Sequence, residues 1–201
     1  MTTPDDHPRR IRDPRARFYL DHRAQIEEWA ALRSEAGRAL YDLLLDLVDE
    51  LAVEVQERGE RLARTADLDK GGYPRLVLED ASWRAPTELN APYGLALEWE
   101  RATIASGGQA RVYVAVRADP DHPRYDAVKE QVRSAAAGWK RQLGAGWQGT
   151  STTWPCFRYL HANGQALDEV ALLQQARQEL YALDEALHQQ LGELIRPGDD
   201  S

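Results

Sequence analysis

The stretch that decides the fold is Tyr93–Arg117, YGLALEWERATIASGGQARVYVAVR. Each end alternates apolar and polar residues, the period of a strand whose two faces differ. The alternation predicts one strand over Tyr93–Ile104 and another over Arg111–Arg117. Between them stands Ser106-Gly107-Gly108-Gln109, and a glycine pair suits a tight hairpin because glycine accepts positive φ. Counting back from that turn sets Trp99 opposite Val116 and Glu98 opposite Arg117. Leu95, Leu97, Trp99, Val112, Val114 and Val116 then share one face. Glu98, Glu100, Arg111, Tyr113 and Arg117 share the other, which reads as a solvated face carrying an opposite-charge cross-strand pair.

Outward from the hairpin, Asp69-Lys70-Gly71-Gly72 marks a turn and Arg75–Glu79 an earlier strand, extending toward Trp83. A fourth strand falls in TTWPCFRYLH (Thr152–His161). Pro155 lacks a ladder donor and places it at an edge or starts it later. Before the strands, Ile26, Trp29, Ala36, Leu40, Leu43, Leu47 and Leu51 recur at helical steps. They predict a helix from an Asp21 cap to about Arg64, with Gly37 and Gly59 as the places to bend or stop. Asp119–Pro123 opens a helix to Leu143 with an inner stripe of Val128, Val132, Ala135, Trp139 and Leu143. Asp168 caps a last helix whose stripe is Leu173, Ala176, Leu180, Leu183, Leu187, Leu191 and Leu194.

The fold class is therefore α/β in the α+β sense. A mostly antiparallel four-stranded sheet is flanked by helices, and the long N- and C-terminal helices pack antiparallel. The domain plan is a disordered tail over 1–15, one globular domain over 16–196 and a disordered tail over 197–201.

The order helix, three strands, helix, strand resembles the core of the PD-(D/E)XK restriction-endonuclease-like superfamily, over roughly residues 40–165. RVYVAVR, the Val128–Trp139 helix and WPCFRYL are similar to its second half. The resemblance implies a site of one aspartate, then Glu or Asp, a spacer and lysine, holding Mg²⁺ and an attacking water. The nearest match is Asp80 followed by Glu98-Trp99-Glu100, with glutamate in the lysine position. The resemblance is thus to a catalytically degenerate member. A divergent metal-dependent nuclease or hydrolase using Asp80, Glu98 and Glu100 is the alternative reading.

Other residues that could carry chemistry read as structural. No histidine pairs locally with another His or Cys, as zinc spacing requires. Cys156, the only cysteine, sits among apolar residues as a small core side chain. GAGWQG (Gly144–Gly149) lacks the Gly-Lys-Ser/Thr of a phosphate loop. No cofactor is implied. Of six tryptophans, Trp29, Trp99 and Trp139 fall on apolar stripes and belong to the core. Aromatic–arginine neighbours at strand ends have the composition of interface anchors. Trp83, Arg84, Tyr113, Trp154, Arg158 and Tyr159 are the candidate binding residues. A pocket lined by Tyr113, Arg158 and Tyr159 would point instead to a small-molecule binder.

A net charge of −8 disfavours nucleic-acid partners, whose phosphates call for a basic face. No apolar run suits a signal peptide or a membrane span, which predicts a cytoplasmic chain. The excess of Arg over Lys, with abundant Ala, reads as bacterial coding bias. The function these observations favour is a non-catalytic interaction module, binding a protein partner or a second copy through its long helices.

Overall fold

Gly59 ends the long first helix, and its φ of 68° is the left-handed conformation that glycine adopts at low cost. The computed structural model describes residues 11, 13–59, 61–68, 72–105, 111–149, 151–160 and 168–198. The Ser106–Gln109 turn, the Asp69–Gly71 part of the first turn, His161 and Asn163-Gly164 lie outside them.

A short helix α1 (Pro14–Asp21) begins inside the stretch expected to be a tail. Asp13 caps it by accepting from the Arg15 N–H at 2.8 Å. Helix α2 (Arg23–Arg58) follows and runs unbroken through Gly37. Its cap is His22 rather than Asp21, and makes no side-chain hydrogen bond. The residues expected to prolong the helix instead form a strand, β1 (Leu62–Ala66). Next come β2 (Arg75–Glu79), a 3-10 turn at Ala81–Trp83, β3 (Tyr93–Trp99), a short helix α3 (Arg101–Ala105) and β4 (Val112–Ala118). Helix α4 (Tyr125–Leu143), β5 (Cys156–Tyr159) and helix α5 (Glu169–Ile195) complete the chain. Asp168 caps α5 as predicted, accepting from the Ala171 N–H at 3.0 Å.

The sheet has five antiparallel strands in sequential order, not four. The extra strand reverses an expectation about the helices. Glu50 and Glu54 of α2 pair with Arg177 of α5, Tyr181 donates to Glu54, and Arg61 binds Asp184. Both sequences rise together, so α2 and α5 run parallel, not antiparallel. Every added antiparallel strand inverts the direction in which the chain leaves the sheet. Four strands between the helices would oppose them, and five align them.

The hairpin register also differs. Trp99 stands opposite Val112, Glu98 opposite Tyr113 and Gly94 opposite Arg117. Residues 101–104, expected to extend β3, instead leave the sheet in α3 and bury Ile104. The longer connection slips the pairing by four residues. Four is even, so every side chain keeps its face.

The inner face, including Leu76, Leu78, Leu95, Leu97, Trp99, Val112, Val114 and Val116, joins α2, α4 and α5 in one apolar cluster. Gly94 lets β2 and β3 meet closely, since a Cβ there would lie 2.3 Å from Val77 Cγ1. β5 pairs with β4 at the sheet edge and starts after Pro155.

Candidate functional site

The outer face of the sheet is the surprise of the architecture. Its central residues are not solvated: Glu98 is fully buried, Glu79 is 2% exposed and Tyr113 6%. Two features cover it. Small residues (Gly94, Ala96, Ala115) leave room for the Arg117 side chain to lie along β4 and reach Glu98. The segment before β5 then sets Trp154 over that guanidinium, 4.4 Å from the ring centre, a cation–π contact.

Glu98 accepts from the Tyr113 hydroxyl at 2.5 Å and from Arg117 Nε at 3.2 Å. Burial raises its carboxyl above the ordinary glutamate range, against the opposing pull of Tyr113, Arg117 and Arg75. The Trp154 indole adds a weaker pull in that opposing direction, although its Nε1 makes no hydrogen bond of good geometry. Burial also raises the Tyr113 hydroxyl and lowers Arg117. Glu79 repeats the pattern at the far end of β2. It is raised by burial, yet held by Arg64 at 3.2 Å and by the Ala91 N–H at 3.0 Å.

Beside Tyr113 a cavity of about 180 Å³ opens on this face. Tyr73, Tyr113, Trp154, Phe157 and Tyr159 wall it. Tyr113, Phe157 and Tyr159 meet edge to face at 5.5–6.0 Å, and Tyr73 meets Trp154 likewise at 5.8 Å. Glu100, Arg111 and Ser151 supply its polar edge, with Glu100 and Arg111 paired at 3.1 Å.

Three of the six predicted binding residues (Tyr113, Trp154 and Tyr159) therefore meet in one pocket. The other three go elsewhere. Trp83 is fully buried and stacks on His188 at 4.8 Å. Arg84 donates to the Leu89 carbonyl at 2.8 Å. Arg158 lies on the inner face and pairs with Glu179 of α5 at 3.0 Å. Tyr73, Phe157 and Ser151 complete the pocket without having been singled out. Tyr73 and Ser151 belong to no strand, so no periodicity marks them.

The carboxylates named for metal chemistry stay apart. Asp80 follows β2 at the end away from Glu98, some five strand positions along, or roughly 17 Å. It caps the 3-10 turn through the Ser82 N–H at 2.7 Å and contacts His188 at 3.2 Å. Its carboxyl is lowered: burial works the other way, but Ser82, His188 and Arg61 outweigh it. Among the described residues, no three His, Cys, Asp or Glu side chains are grouped to hold a metal ion. Cys156 is buried, and burial pushes its thiol up to about 12.

A second surface lies at the other extreme of α2. No residue over 23–36 is buried, so the helix runs ~21 Å without core contact. Trp29, expected in the core, is 66% exposed, and Leu32 is 51% exposed. At about 100° per residue, Ile26 and Trp29 fall within roughly 40° of Leu40 around the axis. They prolong the stripe that Leu40, Leu44, Leu47 and Leu51 bury against the sheet. The stripe outruns the sheet, and that is why Trp29 is uncovered. Phe18 and Leu20 of α1 are exposed beside it at 61% and 50%.

No protein-family model matches the chain, and no curated protein or solved structure matches it either. Among the described residues, no helix is long and apolar enough to cross a membrane.

Proposed function

We propose that this chain is a non-catalytic protein-interaction module of the bacterial cytoplasm, and that the projecting part of α2 is its docking element. The observation that carries this reading is the exposed Trp29 on the same helical stripe that forms the core further along. Large apolar side chains on a regular helical face are what a partner helix buries. The buried, unpaired Cys156 suits a reducing compartment.

The occupant we assign to this face is a second copy of the chain. Along the stripe the order is Ile26, Trp29, Arg33, Ala36. An antiparallel pair centred on residue 31 sets Trp29 against Arg33 and Ile26 against Ala36, twice by symmetry. An arginine over an indole is an attractive contact, and the small Ala36 admits the larger Ile26. Further along α2, a groove of about 320 Å³ against α5 is mixed in character, with Leu43, Leu47 and Leu173 beside Asp46, Glu50 and Arg177.

Disulfide trapping tests the arrangement. Mixed Ile26→Cys and Ala36→Cys chains are expected to form cross-linked dimers that neither chain forms alone. Equal trapping in the separate and mixed samples, or none in either, would count against it. The native thiol is shielded by burial and does not interfere.

A further inference from the structure

We infer that the outer-face pocket is a binding site for a neutral, single aromatic ring with a polar edge, in a free small molecule. The inference is independent of helix pairing. Its first support is size. A designed apolar cavity of about 150 Å³ takes one benzene, and this one measures about 180 Å³. Its second is the wall. Five aromatic rings surround the space, and offset or edge-to-face packing against a sixth ring is their preferred contact.

Charge decides the class. An aromatic cage alone would suit an organic cation, because ring faces are negative. Here one of the five rings, Trp154, already carries Arg117, which binds Glu98 and does not line the cavity. At the mouth Glu100 is paired with Arg111. Glu100 and Arg111 thus cancel at the cavity edge; outside the lining Glu98 is held by Arg117, with Arg75 beside them and itself paired with Asp67 at 2.6 Å. A cationic ligand would compete with Arg111 for Glu100, and an anionic one would compete with Glu100 for Arg111. An uncharged ring meets neither penalty. The polar edge follows from the same groups: Arg111 offers donors, Glu100 an acceptor, and the Ser151 hydroxyl can serve either way.

Three isosteric probes separate the classes: benzamide (neutral), benzamidine (cationic) and benzoate (anionic), each titrated calorimetrically into the intact chain at neutral pH. Benzamide is expected to bind saturably at one per chain, with the two charged rings at least tenfold weaker, at the lower end of what an uncompensated polar or charged group costs. Tyr159→Ala and Tyr73→Ala remove partly exposed wall residues; each gives up edge-to-face contacts, so the melting temperature should fall by a few degrees while unfolding stays cooperative. Each should weaken benzamide roughly tenfold. Benzamidine or benzoate binding as tightly as benzamide overturns the inference. So does benzamide binding that ignores both substitutions, or an absence of saturable benzamide binding to a chain that melts cooperatively.

Discussion

The two halves of α2 carry the same pattern and meet opposite fates. From Leu40 to Val55 the stripe is buried under the sheet. From Ile26 to Ala36 it continues at the same angle into solvent. Nothing in the spacing distinguishes them, because periodicity reports which residues share a face and not what covers that face. The cover is set by strand length: β1 to β5 are only four to seven residues long, too short to reach the first third of a 36-residue helix. The exposed Trp29 on this uncovered continuation is the observation behind the proposed docking face.

Substitutions in each half sharpen this contrast. Leu51→Ala, in the buried half, should cost about 2–5 kcal/mol in urea unfolding, through lost transfer energy and the cavity left behind. A smaller effect belongs to the buried acids of the outer face. A carboxyl raised in the folded state binds protons more tightly there than in the unfolded chain. Glu98 therefore contributes most below its ordinary value of 4.5, and that contribution is lost as pH rises through the raised folded value. Glu98→Gln should flatten that part of the stability-versus-pH curve, read from urea midpoints between about pH 4 and 8. An unchanged slope would mean that Glu98 is ionised at no cost. Arg111→Ala removes a partner that is 56% exposed at the side chain and should cost less than about 1 kcal/mol. Smallest of all, Trp29→Ala should shift the unfolding free energy of the dissociated chain by less than about 0.5 kcal/mol. A loss comparable to that of Leu51→Ala would place Trp29 in the fold and break the comparison.

What could be read in advance follows the same physics. The faces of β3 and β4 were legible, since alternation survives an even slip in register. β5 at an edge was legible from Pro155. β1 was not: in LARTA only Thr65 favours a strand, and its positions continue the helical count of the residues before it. Missing it cost both the strand number and the relative direction of α2 and α5. The candidate pocket was half legible. Tyr159 was marked by its neighbour Arg158, Trp154 by its place at a strand end and Tyr113 by its face of the hairpin, whereas Tyr73 and Ser151 arrive through loop paths that no local pattern encodes. The burial of Glu98 was invisible for a related reason. It depends on Arg117 crossing small neighbours and on Trp154 folding back over it.

The most direct test of the interaction module is the mass of the intact chain in solution, by light scattering over a wide dilution series, beside a Trp29→Glu variant. The expected result is twice the single-chain mass for the unaltered protein, falling on dilution, and a single-chain mass throughout for the variant, with both melting alike once the unaltered protein is dilute enough to be a single chain. A single-chain mass for both, or a dimer that Trp29→Glu leaves intact, would contradict the assignment of α2 as the docking element.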